Sequence, residues 1–410
     1  MQGLPGHAAT VFPRQEYLCL GIRDNHPSLL EWPHGNAIRR SHAVPDNRLN
    51  QTSPTQKAKS DVKKILPYLL CCVCCAALTC DAIAGAMTDA RRAFASGNYA
   101  KAAELLRPLA ANGNALAQYK LGAMYEYGRG VDQDYGAALK WYTMAAEHRN
   151  ANAQSRLGQM YCFGLGVTQD FKKAAKWNRL AANQGDASGQ FNLGMMYDLG
   201  YGVRQNHGEA LKWLRRAAAK RHAGAQDWLG QMYNFGYGVP RDYREAAKWY
   251  RLAAKQGVAD AQSRLGDLYY LGQGVQKNRQ EAAKWYRLAA RKGNANGQSR
   301  LGYMYYAGQG MPRNFRQAAK WLRLAAEQGE PEAQLHLGLM HGQGAGVRRN
   351  SVLAYMWLDV AATNTNRDKQ KRIIQSRDSF TASMTNAEIN KAQELAKTCA
   401  DHKFKGCERE

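Results

Sequence analysis

A period of 36 residues constrains this chain more than any other feature. Leu-Gly recurs at Leu121-Gly122, Leu157-Gly158, Leu193-Gly194, Leu229-Gly230, Leu265-Gly266, Leu301-Gly302 and Leu337-Gly338. Trp recurs in the same register at Trp141, Trp177, Trp213, Trp249, Trp285, Trp321 and Trp357. Gln118, Gln154, Gln190, Gln226, Gln262, Gln298 and Gln334 keep step, as do an Ala-Ala pair and a Gly-x-Gly from Gly128/Gly130 to Gly344/Gly346. Self-similarity at a fixed period in this range signals stacked supersecondary units that bury their apolar faces against one another.

Each copy reads as two helices. In the first copy, Ala115 to Tyr127 places Ala117, Leu121, Met124 and Tyr125 on one apolar face. Gly128 and Gly130 end that helix in a turn that a Cβ would resist. Tyr135 to Glu147 forms the second helix, with Ala138, Leu139, Trp141 and Ala145 as its buried stripe. The expected fold is therefore all-α: a right-handed α/α superhelical solenoid of seven helix pairs. The seven Trp are expected to form the structural repeat core, and Trp249→Ala is expected to cost about 3–5 kcal/mol. A degenerate leading unit covers 88–114, with Leu105 at the place of Trp. At the other end, Thr385-Asn386-Ala387-Glu388 is a capping box that opens a helix to about Lys397.

The flanks divide the chain further. Residues 62–84 run from Val-Lys-Lys through an apolar stretch, Ile65 to Thr79, to Ala82-Ile83-Ala84. That is the order of a secretory signal peptide, and the stretch is short for a membrane span. Residues 1–61 show no helical or strand periodicity. They are read as an unstructured leader or, if translation starts at Val62, as a misassigned start. The solenoid occupies 85–366, and residues 367–410 form a cap and tail. The mature chain is expected outside the cytoplasm, periplasmic or secreted, without a transmembrane span.

Charge bears on partners. The chain has 57 basic and 33 acidic residues, a net +24. Residues 1–84 hold 9 of the basic and 6 of the acidic ones, so the remainder keeps +21. Lys140, Lys176, Lys212, Lys248, Lys284 and Lys320 precede the repeat Trp, and Arg179, Arg215, Arg251, Arg287 and Arg323 lie on the same helical face. This basic outer ridge makes an anionic surface a candidate contact. Nucleic acid is disfavoured as a partner by the signal peptide.

The pattern Ala-x-x-Gln-x-x-Leu-Gly-x-x-Tyr, then Gly-x-Gly-Val, then Ala-x-x-Trp-x-x-x-Ala-Ala resembles the Sel-1-like repeat family, relatives of the tetratricopeptide repeat, over about 88–366. The resemblance implies a scaffold or adaptor for protein–protein contacts, often exported in bacteria. One exported subgroup carries a disulfide in each repeat and is linked to β-lactam binding or hydrolysis. Here only Cys162 lies within the repeats, so that activity is not carried over.

By analogy with tetratricopeptide arrays, the first helix of each pair lines a concave face that binds a protein or peptide. Positions counted from Leu-Gly give Tyr119, Glu126, Phe191, Asp198, Asp227, Asp260, Asp267, Tyr270, Tyr303 and Tyr306 as binding candidates. These positions vary between copies while core positions stay fixed. No nucleophile elbow, phosphate loop, dinucleotide fingerprint or His-Glu-x-x-His occurs. Catalysis, cofactors and metal ligation are accordingly not expected, and a β-lactamase-like hydrolase ranks last. Cys399 and Cys407, eight residues apart, are candidates for a disulfide in an oxidising compartment.

Overall fold

A computed structural model describes residues 84–408, and among them 18 helices and no strand are found. Helix α1 covers 84–95 and α2 spans Tyr99–Ala111. The repeats then alternate a first and a second helix: α3 (Ala115–Tyr127) and α4 (Tyr135–Glu147), α5 (Ala151–Phe163) and α6 (Phe171–Asn183), α7 (Ala187–Leu199) and α8 (His207–Ala219). They continue with α9 (Ala223–Phe235) and α10 (Tyr243–Lys255), α11 (Ala259–Leu271) and α12 (Arg279–Arg291), α13 (Ala295–Ala307) and α14 (Phe315–Ala326), α15 (Pro331–Gln343) and α16 (Ser351–Thr363). Helices α17 (Arg367–Thr381) and α18 (Asn386–Asp401) both pack on α16. The residues form two compact units that part inside α8, after Trp213. Within each unit the helices pack in chain order and build an all-α solenoid. The leader and signal-peptide expectations lie outside the described residues, apart from Ala84, the first residue of α1. No helix of the described residues is long and apolar enough to cross a membrane.

Local chemistry sets these boundaries. The second helices start at Asp or Asn caps: Asp134, Asp170, Asp242, Asn278, Asn314 and Asn350 each accept a backbone N–H with the side chain. The first helices end where the chain enters the left-handed region, as at Gly272 with φ 76°. The glycine of Leu-Gly serves a different purpose. A Cβ on Gly266 would lie 2.7 Å from the Tyr286 ring, so only glycine lets the two helices of the hairpin approach this closely.

The repeated glutamine closes each junction. Gln118 Nε2 donates to the Ala110 carbonyl at 3.0 Å, and Gln154, Gln190, Gln226, Gln262, Gln298 and Gln334 make the same bond to the residue eight positions earlier. That carbonyl belongs to the last turn of the preceding helix, where no intrahelical donor remains. Each of these carbonyls also receives the backbone N–H three residues on, as Gly113 N–H donates to Ala110 O at 3.1 Å, so the glutamine takes its second lone pair and ties the next first helix to that turn.

The tryptophans depart from expectation. Only Trp213 and Trp357 are buried; Trp141, Trp177, Trp249, Trp285 and Trp321 are half-buried. The deepest large side chain is one residue later, at Tyr142, Leu214, Tyr250, Tyr286, Leu322 and Leu358. At Tyr142, Tyr250, Tyr286, Leu322 and Leu358 this residue points into its own hairpin, over the Leu-Gly glycine. The Trp turns toward the preceding repeat instead: Trp177 packs on the cluster of Tyr142, Ala146 and Leu157, and Trp285 on that of Tyr250, Ala254 and Leu265. The half-buried Trp are lids on these junctions, with an outer edge that meets water.

Candidate functional site

The first helices carry the residues singled out as a binding face, and the structure sorts them into two groups. In the first four repeats they are interior. Phe191 is buried, and Tyr119 packs on Tyr142 with ring centroids 5.7 Å apart. The Glu126 carboxylate accepts the Tyr142 hydroxyl at 2.7 Å and forms an ion pair with Arg156, the two side chains being 5% and 9% exposed. Arg156 also donates to the Tyr127 hydroxyl at 2.7 Å. Asp198 holds His207 Nδ1 at 2.7 Å. Asp227 takes Arg264 at 3.2 Å and the Gln231 amide at 2.9 Å; burial still pushes its carboxyl above the usual range. Tyr119, Glu126, Phe191, Asp198 and Asp227 are therefore corrected from an open surface to the seam between first helices.

The signal that reveals the seam lies one residue before Leu-Gly. Arg occupies that register at Arg156, Arg264 and Arg300, and each follows a repeat with an acid in the first helix: Glu126, Asp227 and Asp267. Asp198 is followed by Trp228 at the same register and takes His207 instead. Counting only the variable positions hid this pairing between copies.

In the fifth and sixth repeats the expected residues keep some solvent exposure. Asp260 is exposed and accepts from Asn294 Nδ2 at 2.7 Å. Asp267 is half-buried, accepting the Tyr286 hydroxyl at 2.7 Å and Arg300 at 3.3 Å. Tyr270, Tyr303 and Tyr306 are half-buried on α11 and α13. Tyr270 donates to the Gln309 side chain, and Tyr306 to Gln343 at 3.0 Å. His336 of α15, not foreseen from sequence, joins them, its ring 5.0 Å from Tyr303 and 5.9 Å from Tyr306. Burial lowers its basicity, and its buried Nδ1 has no hydrogen-bond partner among the described residues. Burial also raises the Tyr270 hydroxyl, so it stays a neutral donor. Aromatic edges, neutral hydroxyls and two carboxylates here suit an extended peptide with apolar and basic side chains.

The outer helices are less cationic than the sequence suggests. Lys140, Lys176, Lys212, Lys248, Lys284 and Lys320 are exposed, but Lys212, Lys248 and Lys284 each meet a Glu three residues earlier. The Arg row faces the next repeat: Arg179, Arg215, Arg251 and Arg287 donate to the hydroxyls of Tyr197, Tyr233, Tyr269 and Tyr305 at 3.0, 2.7, 2.9 and 3.5 Å. Among the described residues no group of three or more His, Cys, Asp or Glu is placed to hold a metal ion. Cys162 is a buried thiol, and Cys399 and Cys407 are joined by a disulfide.

Stacked helix pairs with a variable first-helix face define the α/α helical-repeat class of proteins, whose Sel1 and tetratricopeptide-like members mediate protein–protein interaction and are typically non-enzymatic. The Sel1 repeat model matches residues 115–150, 151–186, 187–222, 223–258, 259–294, 295–330 and 331–366. The chain belongs to the Sel1 repeat family. It is similar to a Sel1 repeat protein from Oxalobacter formigenes, at 33% identity over 60% of this chain and 96% of that one, with a TM-score of 0.53. It is also similar to a protective antigen of uropathogenic Escherichia coli displaying an SLR fold, at 30% identity over 75% of this chain and 81% of that one, with a TM-score of 0.36. No curated protein matches the chain.

Proposed function

We propose that this chain is a non-enzymatic scaffold of the bacterial envelope or secreted space that binds a protein or peptide through the first helices of its last three repeats. The observation that carries this reading is the contrast along the array. The first-helix acids of the early repeats are neutralised in the seam, whereas Asp260, Asp267, Tyr270, Tyr303, Tyr306 and His336 keep solvent-facing surface. The signal-peptide order of 62–84 supports export, with 85–366 as the binding array and 367–410 as its cap. A photo-crosslinking amino acid placed at Tyr303 should capture a discrete partner in cells, while the same group at Lys248 should not. Capture at Lys248 alone would move the binding face to the outer helices. N-terminal sequencing of the fractionated protein tests export, with a start near Gly85 outside the cytoplasm as the expected result.

A second reading, contact of the outer helices with an anionic surface, draws on Leu252, Leu288 and Leu324. They are 45%, 42% and 38% exposed, and each lies four residues after Lys248, Lys284 or Lys320. Co-sedimentation with anionic vesicles that Leu288→Glu abolishes would favour it.

A further inference from the structure

The last repeat breaks the Arg–Tyr rule of the junctions. At the register of Tyr197, Tyr233, Tyr269 and Tyr305 it carries His341, so Arg323 does not meet the hydroxyl that its four counterparts bond. Arg323 instead donates to Glu408 at 2.7 Å. His341 Nε2 lies 3.2 Å and Trp357 Nε1 3.0 Å from the same carboxylate. His341 is 4% exposed and Trp357 is fully buried, in contrast to the half-buried Trp of most other copies. An indole N–H and a guanidinium can only donate, and His341 places an imidazole nitrogen beside them where the other copies have a Tyr hydroxyl. Two obligate donors and an imidazole nitrogen converging on one largely buried spot are well satisfied by a carboxylate.

The segment that delivers the carboxylate is shaped to return. After α18 the chain turns back with Lys403 and Phe404 both in the left-handed region, at φ 52° and 66°, a conformation non-glycine residues adopt at a cost. The Phe404 amide donates to the Cys399 carbonyl at 2.8 Å, the Phe404 ring lies over Gly329, and the Cys399–Cys407 disulfide closes the loop next to Glu408. Both cysteines and Phe404 sit in the same apolar cluster as Trp357. Burial alone would raise the Glu408 carboxyl, but its bonds from His341 and Arg323 outweigh that and hold it at about 2.

We propose that Arg323, His341 and Trp357 form a carboxylate-recognition slot for an acidic peptide segment, which Glu408 fills in cis while the Cys399–Cys407 disulfide holds the loop closed. A dithiol reductant opens the loop: the disulfide takes up two electrons and two protons, leaving two cysteine thiols and an oxidised reductant. The slot then accepts the glutamate of a second acidic segment with an aromatic residue four positions before it, the spacing of Phe404 and Glu408.

The test uses the full chain carrying Cys407→Ser and Glu408→Ala. The probe is a fluorescein-labelled peptide of residues 399–408 with both cysteines replaced by serine. Saturable binding to the opened chain is expected, roughly tenfold or more tighter than to the oxidised natural chain. Replacing the peptide glutamate by glutamine, or Arg323→Gln in the protein, should weaken it by a similar factor. Equal binding of the Glu and Gln peptides, equal binding to the closed chain, or no binding to the opened chain each overturns the proposal. If the opened variant melts below the assay temperature, the natural chain reduced with dithiothreitol takes its place under the same criteria.

Discussion

Replacing Arg156 by methionine separates a structural seam from a binding groove. In the natural chain Glu126 and Arg156 are withdrawn from water together, and the carboxylate is further satisfied by Tyr142. Methionine fills similar space but leaves Glu126 buried without a counter-ion, with only hydroxyl donors such as that of Tyr142 beside it. Removing one member of such a pair costs about 3–5 kcal/mol, because the surviving charge keeps its desolvation penalty and loses its counter-ion. Replacing both, Glu126→Leu with Arg156→Met, removes both penalties and should recover most of the loss. Repeat arrays lose all-or-none behaviour, so a single melting temperature can miss a local effect. Amide hydrogen exchange resolved to α3 and α5, with urea melts of the whole chain, is the appropriate assay. Exchange in those helices should accelerate by roughly a hundredfold to a few thousandfold in Arg156→Met and return toward the natural rate in the double variant. Unchanged exchange in Arg156→Met, or a double variant as loose as the single one, would refute the seam.

Other outcomes follow from the same packing. Tyr250→Ala should cost about 3–5 kcal/mol and Trp249→Ala about 2 kcal/mol, reversing the order that the Trp period suggests, because Tyr250 is fully buried and Trp249 is not; paired urea melts decide it. Gly266→Ala should cost about 1–3 kcal/mol by forcing the Tyr286 ring aside, and Tyr286→Leu in the same chain should relieve part of that cost. His222 accepts the Ala225 N–H through Nδ1 as a cap on α9, and burial pulls its pKa from 6.5 to about 4. The unfolded chain then binds the proton more readily, so this group's stability contribution is complete above about 6.5 and lost as pH falls toward 4. Urea melts across that window should show a smaller drop in His222→Asn, whose cap does not titrate.

The repeat period sets the helices. Ala115–Tyr127 and Tyr135–Glu147 are the observed bounds of α3 and α4, and the Thr385–Glu388 box opens α18. Those boundaries are local: a cap side chain, a left-handed glycine and a 3.6-residue apolar period act within a few residues of one another. The site was legible only in part. Asp260 is exposed, and Asp267, Tyr270, Tyr303 and Tyr306 are half-buried. Glu126, Asp198 and Asp227, which look the same in sequence, are buried.

Glu126 and Asp227 are covered by an Arg of the next repeat, 30 and 37 residues away, whereas buried Asp198 takes His207 within its own repeat and Asp267, which also meets an Arg of the next repeat, stays half-buried. The same distance effect placed Tyr286 over Gly266, left the Trp as a lid, and brought Glu408 to His341 across 67 residues. A sequence states which residues are able to bury or to pair. Whether a given acid faces water or a guanidinium depends on the neighbouring helix's approach, because a charge is stable in either environment and only packing excludes the first.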